Sequence, residues 1–193
     1  MQKLTPSDLF SLETYARERP AFRARVLEHK QARKVALGAH LSLLFEDRLT
    51  IQYQVQEMLR IERIFEQAGI RDELDAYNPL IPDGANLKAT LLIEYPDANE
   101  RTRKLVELHG IEQHIALRVA GLASVIAIAD EDMERSNAQK TSAVHFLRFE
   151  LTPAHVAAIK SGRRIEMAVD HAAYQGVEAL GAITCAALAA DLD

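Results

Sequence analysis

Hydrophobic and polar residues alternate along several stretches of this chain, and the strongest alternation lies between Ala123 and Leu151. With a period of two, Ser142 to Leu151 places Ala143, His145, Leu147, Phe149 and Leu151 on one side, and Val144, Phe146, Arg148 and Glu150 on the other. This predicts a strand inside a sheet, fully covered on one face and partly on the other. Ser124 to Ala129 is an unbroken apolar run bounded by Gly121 and Asp130, which predicts a buried neighbouring strand. An acidic loop beginning Asp130-Glu131-Asp132 joins the two. Because side chains alternate across the pleat, His145 and Arg148 point to opposite faces and share a site only if a bulge intervenes.

Elsewhere the pattern switches between periods. Thr5-Pro6-Ser7-Asp8 has the hydroxyl cap, early proline and first-turn carboxylate of a helix start, continued by Leu9, Leu12 and Ala16. Pro20 is predicted to open a second helix, with Phe22, Val26 and His29 on one stripe, ending near Lys30. Val35 to Phe45 alternates cleanly and predicts one strand. Asp47 then caps a long helix through Ala68, stopped by Gly69. Asn78-Pro79, Pro82 and Asp83-Gly84 mark turns, so residues 71–87 are predicted to be a loop.

Further strands are predicted over 88–95, 114–119 and 163–170, with helices over 98–109, 153–162 and 177–190. The fold class is α+β: N-terminal helices lead into a largely antiparallel sheet of about five or six strands, with helices packed on one face. The organisation is a helical region at 1–70 carrying one strand at 35–45, the loop at 71–87, and the sheet with covering helices at 88–193, all in one compact unit.

Composition narrows the function classes. The 193 residues are 48% hydrophobic and 26% charged, as in an ordinary globular protein. No apolar run approaches the roughly 18 residues of a membrane span, and the first residues lack a signal-peptide pattern, so a cytoplasmic location is expected. The net charge of −5 argues against general affinity for nucleic acid. The charge is uneven, however: Arg17 to Lys34 holds seven basic residues against Glu18 and Glu28, a face suited to an acidic partner. The single cysteine, Cys185, excludes an internal disulfide or a cysteine-built iron–sulfur cradle. No Gly-rich phosphate loop, dinucleotide fingerprint or G-x-S-x-G elbow occurs.

Three groupings carry candidate chemistry. On the charged side of the predicted strands, Arg118, Arg148 and Arg164, with nearby Lys140, are candidate ligand-binding residues, since the planar guanidinium holds a carboxylate or phosphate at two points. Cross-strand pairs in water explain the same residues. His145 and His171, with Asp130 and Asp132, are candidate metal ligands for zinc or iron, but no two-ligand helical spacing is present and no cofactor is predicted. Glu57 and Arg60, close to Tyr53 on a helix, together with His145, are the catalytic candidates. Glu57 would serve as a general base if burial raised its pKa; the alternative is an ion pair between Glu57 and Arg60.

Five segments carry a family resemblance: 53–63 (YQVQEMLRIER), 83–90 (DGANLKAT), 93–97 with Glu100-Arg101, 129–132 (ADED) and 140–149 (KTSAVHFLRF). The chain resembles, over almost its whole length, the bacterial family called domain of unknown function 3501. Members are often encoded beside rubrerythrin-like di-iron proteins and iron–sulfur oxidoreductases. The resemblance therefore implies an accessory protein that binds a redox partner in oxidative-stress metabolism. The alternative is a small-molecule or metal-dependent enzyme using Glu57, Arg60, His145 and Arg148, which requires those side chains to converge. A homo-oligomer is compatible with either.

Overall fold

The computed structural model describes residues 1–131, 135–136 and 140–193. Its strands form two antiparallel sheets facing each other across one apolar core. The first sheet has the order β1-β2-β3-β7-β6, from Lys34–Leu37 (β1), Leu41–Phe45 (β2), Asn86–Ile93 (β3), Val144–Glu150 (β7) and Ile128–Ala129 (β6). The second has the order β5-β4-β8-β9, from Val125–Ile126 (β5), Ile115–Val119 (β4), Ile165–His171 (β8) and Tyr174–Ala179 (β9). The α+β class and antiparallel pairing agree with the sequence reading; the strands divide between two sheets where one was expected.

Alternation builds this core directly. Leu87, Ala89, Leu91 and Ile93 of β3 and His145, Leu147 and Phe149 of β7 are buried, while Lys88, Thr90, Phe146 and Arg148 between them are partly exposed. Leu117, Val119, Ile165 and Met167 meet them from the second sheet. Helix α4 (Ala98–Glu107) links β3 to the turn before β4, and helices α5 (Pro153–Lys160) and α6 (Ala182–Ala189) add Ala158, Ile159 and Leu188 to the same cluster.

The N-terminal helices pack largely among themselves. Helix α1 (Leu12–Gln31) is a single helix that runs through Pro20, although that ring cannot donate to the carbonyl one turn back. Burial of Tyr15, Phe22 and Val26 against Leu49 and Tyr53 outweighs the lost bond. The Thr5 capping box closes only a 3₁₀ turn at Pro6–Asp8. Helix α2 (Arg48–Glu62), capped by Asp47, ends earlier than expected, at Arg63 in a left-handed conformation (φ 57°). Helix α3 (Gln67–Tyr77) then occupies part of the predicted loop. Gly69 lies inside it: a Cβ there would meet Ile64 Cγ2 at 2.7 Å, so this glycine permits close approach and does not stop a helix.

Three further expectations are corrected. The single strand at 35–45 is a hairpin turning at Gly38, whose φ of 71° suits glycine. The three-residue turn keeps the parity, so Val35, Leu37, Leu41, Leu43 and Phe45 all still face inward. The helix expected over 177–190 starts only at Ala182, because β9 pairs back onto β8. Finally, Ser124 to Ala129 is not a central buried strand: Val125–Ile126 pairs with β4 and Ile128–Ala129 with β7, so the chain crosses between sheets at buried Ala127.

Candidate functional site

That crossing assembles the most chemically dense point among the described residues. Beyond β6 the chain turns at Asp130, which adopts a left-handed φ of 51°, a conformation aspartate tolerates better than most side chains. Asp130 Oδ1 accepts from the backbone N–H of Phe146 (3.0 Å), and Oδ2 lies 2.6 Å from His145 Nδ1. His145 belongs to the inward row of β7 and has no exposed surface. Its Nε2 is 2.8 Å from Thr141 Oγ1 and 3.0 Å from the Ser142 carbonyl oxygen. Thr141 in turn donates to Glu112 Oε2 (3.0 Å), and Ser136 donates to Glu112 Oε1 (3.0 Å). Glu112, only 4% exposed, sits in the 3₁₀ turn Ile111–His114 that precedes β4.

The result is a buried relay running carboxylate, imidazole, hydroxyl, carboxylate. Both imidazole nitrogens face oxygen atoms, the Asp130 carboxylate at Nδ1 and the Thr141 hydroxyl and Ser142 carbonyl at Nε2. Ligand atoms of Glu112, Asp130 and His145 all lie within 4.8 Å of one another. A cleft of about 410 Å³ opens beside them, lined among the described residues by Glu112, Gln113, Ala129, Asp130, Arg135 and Ser136. The Arg135 guanidinium lies over the Phe146 ring, with Nε 3.4 Å from Asp130 Oδ1.

Two candidates from the metal set, His145 and Asp130, therefore converge. The others do not join them. His171 hydrogen-bonds the His109 carbonyl through Nε2 (3.1 Å) and meets the His114 ring edge-on. Asp132 lies outside the described residues. Sequence reasoning missed Glu112: no motif marks it, since it reaches the site only because a short turn before β4 and the loop after β6 lie side by side.

The proposed arginine clamp is divided by the two-sheet architecture. Arg118 stands opposite Glu166 on the second sheet, and Arg164 pairs with Glu166 (2.9 Å). Arg148 lies on the first sheet, opposite Lys88, with both of its Glu131 contacts at 2.7 and 2.8 Å and a further bond to Glu150. Lys140 is exposed, one residue before Thr141.

Glu57 is held in the helical layer and does not approach His145. Arg19 grips both its carboxylate oxygens (2.7 and 2.8 Å), Tyr15 donates to it (2.7 Å), and Arg60 adds a longer contact (3.3 Å). The Arg19 hydrogen bonds hold its pKa down to about 2, against the burial that would raise it. A general base needs the opposite shift, so the expected role for Glu57 is corrected: it is an ionic tie between α1 and α2. The four residues of the enzyme reading are distributed over separate sites.

No helix among the described residues is long and apolar enough to cross a membrane. A comparison with curated proteins found no match. A crystal structure of a novel protein of unknown function from Burkholderia pseudomallei is similar to this chain at 52% identity, with a TM-score of 0.95 and full coverage of both chains. Residues 3–192 match the model of a family described as protein of unknown function (DUF3501), and with that near-complete span the chain belongs to this family.

Proposed function

We propose that this chain is a metal-dependent protein whose working centre is Glu112, Asp130 and His145, acting on a small polar molecule held in the adjoining cleft. The observation that carries this reading is the convergence of three ligand side chains within 4.8 Å beside a cleft. A mixed imidazole–carboxylate set suits zinc or iron(II). His145 Nε2 and Glu112 Oε2, 3.8 Å apart, would hold the ion, while Asp130 on the other ring nitrogen would orient the imidazole. A bound divalent ion at this centre supplies Lewis acidity or an activated water.

The chain's own residues do the rest. Thr141 bridges Glu112 and His145, Ser136 donates to the other Glu112 oxygen, and the Phe146 N–H fixes Asp130. Imidazole and carboxylate ligands bind a metal in their deprotonated forms, so binding here would compete with protons and weaken in acid.

The test is calorimetric titration of untagged protein with zinc and, without oxygen, iron(II), in two buffers of different ionisation heat. One equivalent bound with proton release, and loss of binding in His145→Gln and Glu112→Gln variants that melt like the parent, is the expected result. Absence of stoichiometric binding, or undiminished binding in both variants, overturns it.

The redox-partner role implied by the family resemblance is a second reading, supported by the exposed Arg23 and Arg25 on α1. Of the same basic stretch, Arg19 is tied to Glu57 and Arg33 to Asp47 and Asp191, while exposed Lys34 pairs with Glu94 on the surface. Co-purification at low salt with an iron–sulfur or di-iron protein, abolished in an Arg23→Glu/Arg25→Glu variant, is its expected result; no such protein following the chain ends it.

A further inference from the structure

On the other side of β7 from His145 lies a second and larger cavity, of about 600 Å³, between the first sheet and the segment following α3. Its walls are of two kinds. Leu80, Ile81 and Phe146 give an apolar surface, while Lys3, Lys88 and Arg148 give three cations facing the anions Asp83 and Glu131. Lys88 is the informative one. Its ammonium makes no ion pair among the described residues and instead donates to the carbonyl oxygens of Pro79 and Ile81, the latter at 3.1 Å. Burial pushes its pKa below the ordinary value, as expected of a half-buried ammonium without a contacting carboxylate.

Arg148 shows which anion fits. Its Nε and Nη2 hold the two oxygens of Glu131 in parallel bonds of 2.7 and 2.8 Å, the planar fork geometry of carboxylate recognition. Glu131 itself is half exposed and comes from the loop after Asp130, so it is replaceable at this fork, unlike a carboxylate built into the sheet.

We propose that this cavity binds an organic carboxylate with an apolar body: the carboxylate takes the Arg148 fork from Glu131 and gains Lys88, and the body lies on Leu80, Ile81 and Phe146. Glu131 is then an internal stand-in for the ligand's head group. None of these residues belongs to the Glu112–Asp130–His145 centre, so this site stands or falls separately from the metal reading.

The experiment is calorimetry and thermal shift with octanoate, 1-octanol and inorganic phosphate as probes, on the parent and on Glu131→Gln and Lys88→Gln variants. Octanoate should bind and raise the melting temperature, with octanol and phosphate at least tenfold weaker. Glu131→Gln should bind octanoate about tenfold more tightly because the competing head group is gone, and Lys88→Gln about tenfold more weakly. Failure of octanoate to bind the parent overturns the proposal, as does octanol or phosphate binding equally well. Equal octanoate affinity in the parent and Glu131→Gln also overturns it; this loop substitution leaves the core untouched and keeps the test valid should Lys88→Gln unfold.

Discussion

Replacing Asp191 by leucine should expose how strongly the C-terminal end is tied to the rest of the fold. Arg33, just beyond α1, places its fork on Asp191 with bonds of 2.8 and 2.7 Å, across 158 residues of sequence. Both side chains are almost completely buried, at 4% and 3% exposure. Removing one partner of such a pair leaves an uncompensated charge, a loss of about 3–5 kcal/mol. Asp47 remains 3.0 Å from the same guanidinium, so the low end, about 3 kcal/mol, applies here. For a chain of this size that corresponds to a melting-temperature drop of roughly 6–12 °C. The double variant Arg33→Met/Asp191→Leu removes both charges and should recover about half the loss, the remainder reflecting the Asp47 and His29 contacts that Arg33 also makes. Urea unfolding of the parent, both single variants and the double variant at pH 7 gives the coupling energy directly. The reasoning is refuted if Asp191→Leu costs less than about 1 kcal/mol, or if adding Arg33→Met recovers nothing.

Three further outcomes follow from particular contacts. Glu57→Gln should destabilise the fold at pH 7 by about 1–2 kcal/mol: the shift from 4.5 to about 2 corresponds to roughly 3 kcal/mol, reduced because Arg19 and Arg60 are a third or more exposed to screening solvent. Since the folded pKa is depressed, this contribution is complete above pH 4.5 and fades as pH falls towards 2, so the gap between parent and variant in urea titrations should shrink at pH 3; a constant gap refutes it. Gly38→Ala should cost about 1–2 kcal/mol in thermal unfolding, because φ is 71° and the new Cβ would meet Tyr174 Oη at 2.6 Å, where that hydroxyl donates to the Leu37 carbonyl. Thr141→Val keeps the shape but strips the shared hydroxyl from Glu112 and His145, and should cost about 1–3 kcal/mol in urea titration; a neutral result would mean the relay is not structurally coupled.

Period-two patterning was enough to identify β3, β4, β7 and β8 and to place His145 inward and Arg148 outward, because burial on one side of a pleat leaves a direct mark on sequence. It could not divide the strands into two sheets: Arg118 and Arg148 have identical local patterns, and only long-range pairing with Glu166 or Lys88 tells them apart. The hairpin at Gly38 was hidden because a three-residue turn preserves the alternation. Pro20 misled because its local cost is smaller than the burial of Tyr15, Phe22 and Val26 on either side of it. At the candidate metal centre, Asp130 and His145 stood out as reactive residues near predicted strands. Glu112 joins them from another sheet's approach turn, and convergence of that kind has no signature in a single sequence.

The order of Asp130 and Glu131 along the chain leads to a last expectation, one that joins the two proposed sites. Asp130 reaches His145 on the inner side of β7, and Glu131, the next residue, reaches Arg148 on the outer side. Asp130 N–H donates to the Phe146 carbonyl (2.9 Å), and a displacement of Asp130 large enough to loosen that bond would carry the adjoining Glu131 with it. An ion held by His145 and Glu112 that shifted Asp130 through the imidazole would therefore change how well Glu131 competes at the Arg148 fork. Binding linkage is reciprocal, so whatever factor zinc imposes on octanoate affinity, octanoate must impose on zinc affinity. Titrating each in the presence and absence of the other should give the same several-fold factor in both directions, and Glu131→Gln should abolish it by removing the competing head group. Independent binding of the two probes would show that the loop does not transmit the displacement, even if both sites are occupied as proposed.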